Sequence, residues 1–164
     1  MLTASQNCQE YVKALVASFR TPSALPPATK LVIIGCGAPS LIPVYIDETK
    51  CTFPMYTDPT GQLHDILGMT QTLSLNPAAS YISHQSAFSG AIKGIYQGLK
   101  RVGAGDALKG GKSSQVGGEL LFEAAEDGHG RTTTGVIWCH RMKSTRDHTE
   151  VAELRQVLGL SPSD

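Results

Sequence analysis

Cys8 is the residue of this chain best placed for chemistry. It stands in Ser5-Gln6-Asn7-Cys8, where a helical apolar pattern begins. Backbone N–H groups and the helix dipole in a first turn stabilise a thiolate, the form in which sulfur attacks. A buried, inert thiol in the same turn fits the spacing equally well. Ser5, three residues earlier, could donate a hydrogen bond to the thiolate or cap the helix; taken alone, the cap is the simpler role. Cys36 follows the short apolar run Leu31-Val32-Ile33-Ile34. In a parallel α/β sheet, strand C-termini and helix N-termini gather at one edge. Cys8 and Cys36 are therefore expected to share that edge, as an attacking and a resolving thiol would. Cys51 precedes a strand and belongs to the opposite edge. Strand alternation in Trp138-Cys139-His140-Arg141 sets Cys139 on the face opposite Trp138 and His140 and reads it as core.

A second cluster is cationic. His140 and Arg141 end a strand, and Arg146-Asp147-His148 follows. Cations here could bind an anionic substrate or stabilise developing charge. The competing and simpler account is helix entry, with Asp147-x-x-Glu150 as a capping box and Arg146 solvated. Tyr81 and His84 start a long helical pattern and are candidates to line a substrate pocket. The five histidines show no zinc spacing and no C-x-x-C accompanies them, so neither metal nor cofactor is expected. Gly35-Cys36-Gly37 after a strand, with Asp58 about 20 residues on, has the outline of a dinucleotide turn. Ser40 at the third glycine position and Pro39 at the helix start favour a plain tight turn. Asp106 to Ser113 ends in Gly-Lys-Ser but lacks the first glycine and the preceding strand of a phosphate loop; a solvated basic loop explains it.

The elements that must position these residues follow from periodicity. Tyr11, Val12, Leu15, Val16 and Phe19 share one helical face, predicting a helix over about residues 6 to 19. Residues 31–34 suit a parallel strand buried on both faces. A helix over 40–50, a strand over 53–57, a turn at Asp58-Pro59-Thr60-Gly61 and a short helix follow. Phe88, Ala91, Ile92, Ile95, Tyr96 and Leu99 predict the longest helix, over 81–101. The Gly-, Lys- and Ser-rich stretch 103–118 reads as a mobile connection. Residues 119–123 and 134–140 read as an antiparallel hairpin. Val151, Leu154, Val157 and Leu158 mark a last helix. Alternation followed by a hairpin and a helix indicates an α/β fold with a mixed sheet.

The chain has 164 residues, with 14 Lys+Arg balanced by 14 Asp+Glu, which suits one domain over 1–164. A 41% hydrophobic and 17% charged composition is that of a globular chain. Charge neutrality argues against nucleic acid or an anionic membrane as partner. No apolar run approaches the roughly 20 residues of a membrane span. The first residues carry no signal-peptide pattern. Four cysteines then read as reduced thiols of a cytoplasmic protein.

Several blocks together resemble a known family: Asn7-Cys8-Gln9-Glu10-Tyr11, Val32 to Ser40, Phe53 to Pro59, Leu67-Gly68-Met69-Thr70, Gln115-Val116-Gly117-Gly118-Glu119, and Trp138 to Met142 with Arg146-Asp147-His148. They resemble, in order over nearly the whole chain, the thioredoxin-like, peroxiredoxin-like AhpC/TSA antioxidant enzymes, above all their fungal members. The resemblance implies a thioredoxin-like mixed sheet flanked by helices. Two departures stand out. The family carries C-x-x-C at the helix start, whereas here Ser5 replaces the first cysteine, which removes local dithiol exchange. The family also has a central strand before this helix, which Met1 to Ala4 is too short to supply. The expected remedies are direct pairing of 31–34 with 119–123, a second copy in a homodimer, or a shortened sequence.

The resemblance implies a thiol oxidoreductase or peroxidase acting on a small molecule. Cys8 would be the nucleophile, Ser5 its hydrogen-bond partner, Arg141 an electrostatic helper and Cys36 a resolving thiol. The alternative is a non-redox enzyme of fungal natural-product biosynthesis, a cyclase, isomerase or lyase. Its acid–base groups would come from His140, His148, Asp147, Tyr81 and His84. A binding module without catalysis ranks third.

Overall fold

A computed structural model describes residues 6–21, 24–74, 110–126 and 128–162. Ser5, Tyr81, His84, the predicted helix over 81–101 and part of the Gly-rich stretch lie outside the described residues. The elements run α1 (Gln6–Ser18), β1 (Ile33–Gly35), a 3-10 turn (Pro39–Leu41), α2 (Ile42–Thr49), β2 (Met55–Thr57), α3 (Gln62–Ile66), β3 (Gly118–Glu126), β4 (Thr132–Arg141) and α4 (Val151–Val157). The mixed α/β class read from the alternation holds.

The apolar stripe of α1 builds the core. Tyr11, Val12, Leu15 and Phe19 are buried with Ile33 of β1, Tyr45 of α2, Cys51 and Leu154 of α4. Two polar ties fix the helix in place. Gln9 donates to Glu48 of α2 at 2.7 Å. Arg155 of α4 donates to the Ser18 carbonyl at 3.3 Å and lies over the Phe19 ring. Cys8 continues the same stripe one turn earlier, so the packing that seats α1 also buries the sulfur.

β1 and β2 pair in parallel, Ile33 opposite Met55 and Gly35 opposite Thr57. β3 and β4 form an antiparallel hairpin, from Gly118 opposite Arg141 to Glu126 opposite Thr132. No ladder among the described residues joins the two pairs, so the expected direct pairing of 31–34 with 119–123 does not form. Burial of β1 on both faces also fails: Ile33 and Gly35 are buried, while Val32 and Ile34 are exposed. Only one face of this short strand meets the α1 core.

A bulge between Leu121 and Phe122 shifts the hairpin register. Bulges increase local twist and re-aim the strand. Beyond it the hairpin is exposed on both faces; before it Trp138 packs against the core. Cys139, on the face opposite Trp138, is therefore exposed and not core. The alternation was read correctly, but the buried face is the one carrying Trp138.

Asp58 shows how the loop after β2 is set. Its carboxylate accepts from Leu63 N–H at 2.8 Å, Gly61 N–H at 3.1 Å, Thr60 Oγ1 at 2.9 Å and His64 Nδ1 at 3.0 Å. The carboxylate is thus engaged by the turn before α3 and by the first residues of that helix. Burial would raise its pKa, but bonds from the His64 ring, Thr60 and the backbone of His64 and Leu63 outweigh this and hold it at about 2. A depressed carboxylate contributes stability above its unfolded pKa that is lost as pH falls through the folded one. Asp58→Ala should cost about 2 kcal/mol at neutral pH, with the difference from wild type closing between about pH 4 and pH 2. Urea unfolding across that range measures it; a pH-independent difference would show that the carboxylate's charge is not what matters.

Candidate functional site

Three segments distant in sequence bring their polar groups to the first turn of α1. β3 begins with Gly118-Glu119, and its entry is fixed from the other side of the chain. Gln115 bridges to Gln71, and its Nε2 donates to the Thr70 carbonyl at 3.2 Å. The backbone at Gly118 runs so close to the His140 carbonyl that a Cβ there would collide with it. Glu119 therefore leaves the strand at one set position. The loop after β4 is held by Met142 N–H on the Gly117 carbonyl at 3.0 Å and by Lys143 N–H on Asp147 Oδ2 at 2.7 Å. Asn7 of α1 donates to the Thr145 carbonyl at 3.4 Å and brings that loop to the helix start.

His148 occupies the centre. Its Nδ1 lies 2.8 Å from Glu119 Oε1. The other oxygen of Glu119 accepts from Thr149 Oγ1 at 3.0 Å and Thr149 N–H at 3.3 Å. The Tyr11 ring stacks on the imidazole, with centroids 4.2 Å apart and planes 13° from parallel. Cys8, one turn before Tyr11 on α1, interacts with the same imidazole. Cys8, Tyr11, His148 and Thr149 are all buried.

Burial alone would drive His148 to its neutral form. Hydrogen bonds to Cys8 and Glu119, and the negative charge of both, reverse this and push its pKa up to about 9. The Glu119 carboxylate and the Cys8 sulfur thus favour the imidazolium over the neutral ring. An adjacent imidazolium favours the thiolate, and the α1 first turn adds to that field. The arrangement can hold a reactive sulfur and a proton in one buried place.

Cys36 lies within reach of this charge. Burial pushes its thiol up, and the charges at Cys8 and Asp58 push it further, against lowering by the backbone. Gly111 packs directly on it: a Cβ at Gly111 would lie 2.8 Å from the Cys36 sulfur. Gly111 also has φ +75°, a conformation glycine alone adopts without strain. The charge at Cys8 thus acts on both His148 and Cys36. The structure gives His140 and Arg141 other work. The His140 ring bonds the Asp147 carbonyl at 2.6 Å. Arg141 Nε donates to the Leu67 carbonyl at 2.7 Å, and its Nη1 to Cys139 Sγ at 3.1 Å.

Three residues of this group, Glu119, Tyr11 and Thr149, were not singled out as site residues in sequence. Tyr11 stands one helical turn from Cys8, which is the signal that could have found it. Glu119 stood inside a block carrying the family resemblance, but nothing local marks its partner 29 residues away. The expected capping box is also absent: Asp147 accepts from Lys143 N–H, and Glu150 at the start of α4 makes no side-chain cap. Among the described residues no helix is long and apolar enough to cross a membrane.

Gly111→Ala should destabilise the protein by about 1–3 kcal/mol, since the added methyl needs both a strained φ and displacement of Cys36. Denaturant unfolding reads this out, and a loss below about 0.5 kcal/mol would show the Gly111–Cys36 contact to be loose.

A sequence profile of the family described as AhpC/TSA antioxidant enzyme matches residues 15–144. No curated protein and no solved structure matches the chain. The matched span includes Cys36, Glu119, His140 and Arg141, and it begins after Cys8 and ends before His148.

Proposed function

The chain belongs to the AhpC/TSA antioxidant enzyme family, and we propose that it is a thiol peroxidase or oxidoreductase whose reacting sulfur is Cys8. The observation that carries this reading is the buried Cys8–His148–Glu119 arrangement, in which an imidazolium favours the attacking form of the sulfur. The Cys8 thiolate attacks one oxygen of a small peroxide. The S–O bond forms, the O–O bond breaks, and Cys8 becomes a sulfenic acid. Cys36 is the resolving candidate: its thiol would condense with the sulfenic acid to a disulfide and release water. An external thiol would reduce that disulfide. Ser5 keeps its proposed role as a hydrogen-bond donor to Cys8. Arg141, turned to Leu67 and Cys139, supports the loop more directly than the sulfur.

The same reading has the protein act in the cytoplasm as a homodimer. Exposed Val32, Ile34, Phe122, Val136 and Ile137, together with two strand pairs that share no ladder among the described residues, support a partner surface.

Hydrogen peroxide consumption with a thiol reductant should fall at least a hundredfold in Cys8→Ser, while Cys139→Ser retains it. Equal rates in wild type and Cys8→Ser would reject the reading. The buried His148–Glu119 pair also favours a non-redox acid–base enzyme; turnover of an aromatic substrate that survives Cys8→Ala would establish that instead. Light scattering on the eluting protein tests the dimer, and a monomer of single-chain mass would remove it.

A further inference from the structure

Among the described residues, Glu119 is the carboxylate bonded to the His148 ring, and its hydrogen bonds converge on that segment. One oxygen takes His148 Nδ1, and the other takes the N–H and hydroxyl of Thr149. A carboxylate held at both oxygens fixes the ring against rotation about its own axis, and Tyr11 fixes the plane. With Nδ1 committed to Glu119 and the plane set by Tyr11, one turn along α1 from Cys8, the imidazole is held in one orientation beside the helix start. Second partners of this kind orient an acid–base imidazole without touching substrate.

We propose that Glu119 is a positioning residue for peroxide chemistry at Cys8, holding His148 so that its proton is delivered to the oxygen that leaves when the Cys8 sulfur attacks. The proposal rests on the reading of Cys8 as the reacting sulfur. The step balances as follows. The thiolate electron pair forms the S–O bond, and the O–O pair departs with the second oxygen as hydroxide. That hydroxide takes the His148 proton and leaves as water, so Cys8 ends as a sulfenic acid, His148 as a neutral imidazole and Glu119 unchanged. The groups facing the His148 ring are Cys8 and Tyr11 from α1 and Glu119 from β3, with Thr149 beside it in the loop; Asp147 and His140 pair with each other next to it.

Two reactions of the same sulfur separate proton delivery from thiolate formation. Alkylation of Cys8 by iodoacetamide releases iodide, which needs no proton; attack on hydrogen peroxide releases hydroxide, which does. Mass spectrometry reads alkylation at Cys8 apart from the other three thiols. In Glu119→Gln the peroxide rate should fall about tenfold to a hundredfold further than the alkylation rate. Its fall at high pH should also move toward neutrality, and Glu119→Asp should restore part of both. Parallel losses in the two reactions, or an unchanged peroxide rate, would overturn the proposal. In the wild type, nitrogen NMR of the ring should show His148 protonated at pH 7.5, whether or not the variants fold; a neutral ring would overturn it as well. Peroxide consumption that is equal in wild type and Cys8→Ser is a different failure, of the reading of Cys8 itself.

Discussion

The structure turns on one buried imidazole. His148 is drawn toward its charged form inside the protein by two partners, Glu119 from β3 and Cys8 from α1. An unpaired ion in such a place costs several kcal/mol, so the pair is tolerated only where the geometry is close. That requirement reaches far along the chain. The start of α1, the entry of β3 and the loop between β4 and α4 must arrive together to within hydrogen-bond tolerance. Losing either partner would leave the other charges buried and poorly compensated, which is a larger effect than losing one hydrogen bond.

The surrounding scaffold is arranged for that accuracy. Gln115 and the close backbone approach at Gly118 set where Glu119 leaves its strand. Asp147, turned back onto Lys143 N–H, tightens the loop that carries His148. α1 serves two purposes with one stripe: Leu15 and Phe19 anchor the core, Tyr11 is both core and stacking platform, and Cys8 ends the row at the ion pair. A helix anchored along its length is a firmer carrier for a nucleophile than a loop, because its rotation is already fixed by packing.

Much of this was legible in the sequence, and what was not has a physical reason. The 3.6-residue repeat from Tyr11 to Phe19, the paired runs of the hairpin and the stripe of the last helix each announce their element locally. Cys8 was legible as a helix-start thiol, and its burial followed from sharing the stripe. His148 was legible only as one of several acid–base candidates. Asp147-His148-Thr149-Glu150 has the local grammar of a helix entry, and only the fold shows that the ring turns inward to Glu119. Glu119 was missed because a lone acid at a strand start normally belongs to solvent, and its partners come from other segments. Cys139 was misassigned because alternation divides a strand into two faces without saying which is buried. The divided sheet was equally out of reach, since ladder partners are long-range pairings that no local pattern specifies.

A serine one turn from Cys8 changes what the sulfur must rely on. In the C-x-x-C that the resemblance implies, the first sulfur attacks and the second, one turn on, resolves it. Ser5 stands in the place of the first, so on the reading proposed above Cys8 attacks and Cys36, just after β1, is the thiol left to resolve it. Burial and the charges at Cys8 and Asp58 all keep Cys36 protonated, so it is unsuited to attack first. On the reading proposed above, oxidation of Cys8 to a neutral sulfenic acid removes one of those charges and leaves His148 as a neutral imidazole. Burial, the largest cause of the restraint on Cys36, outlasts that step, so Cys36 follows as the thiol that condenses with the sulfenic acid. The two sulfurs would thus act in order, Cys8 first beside His148 and Cys36 second.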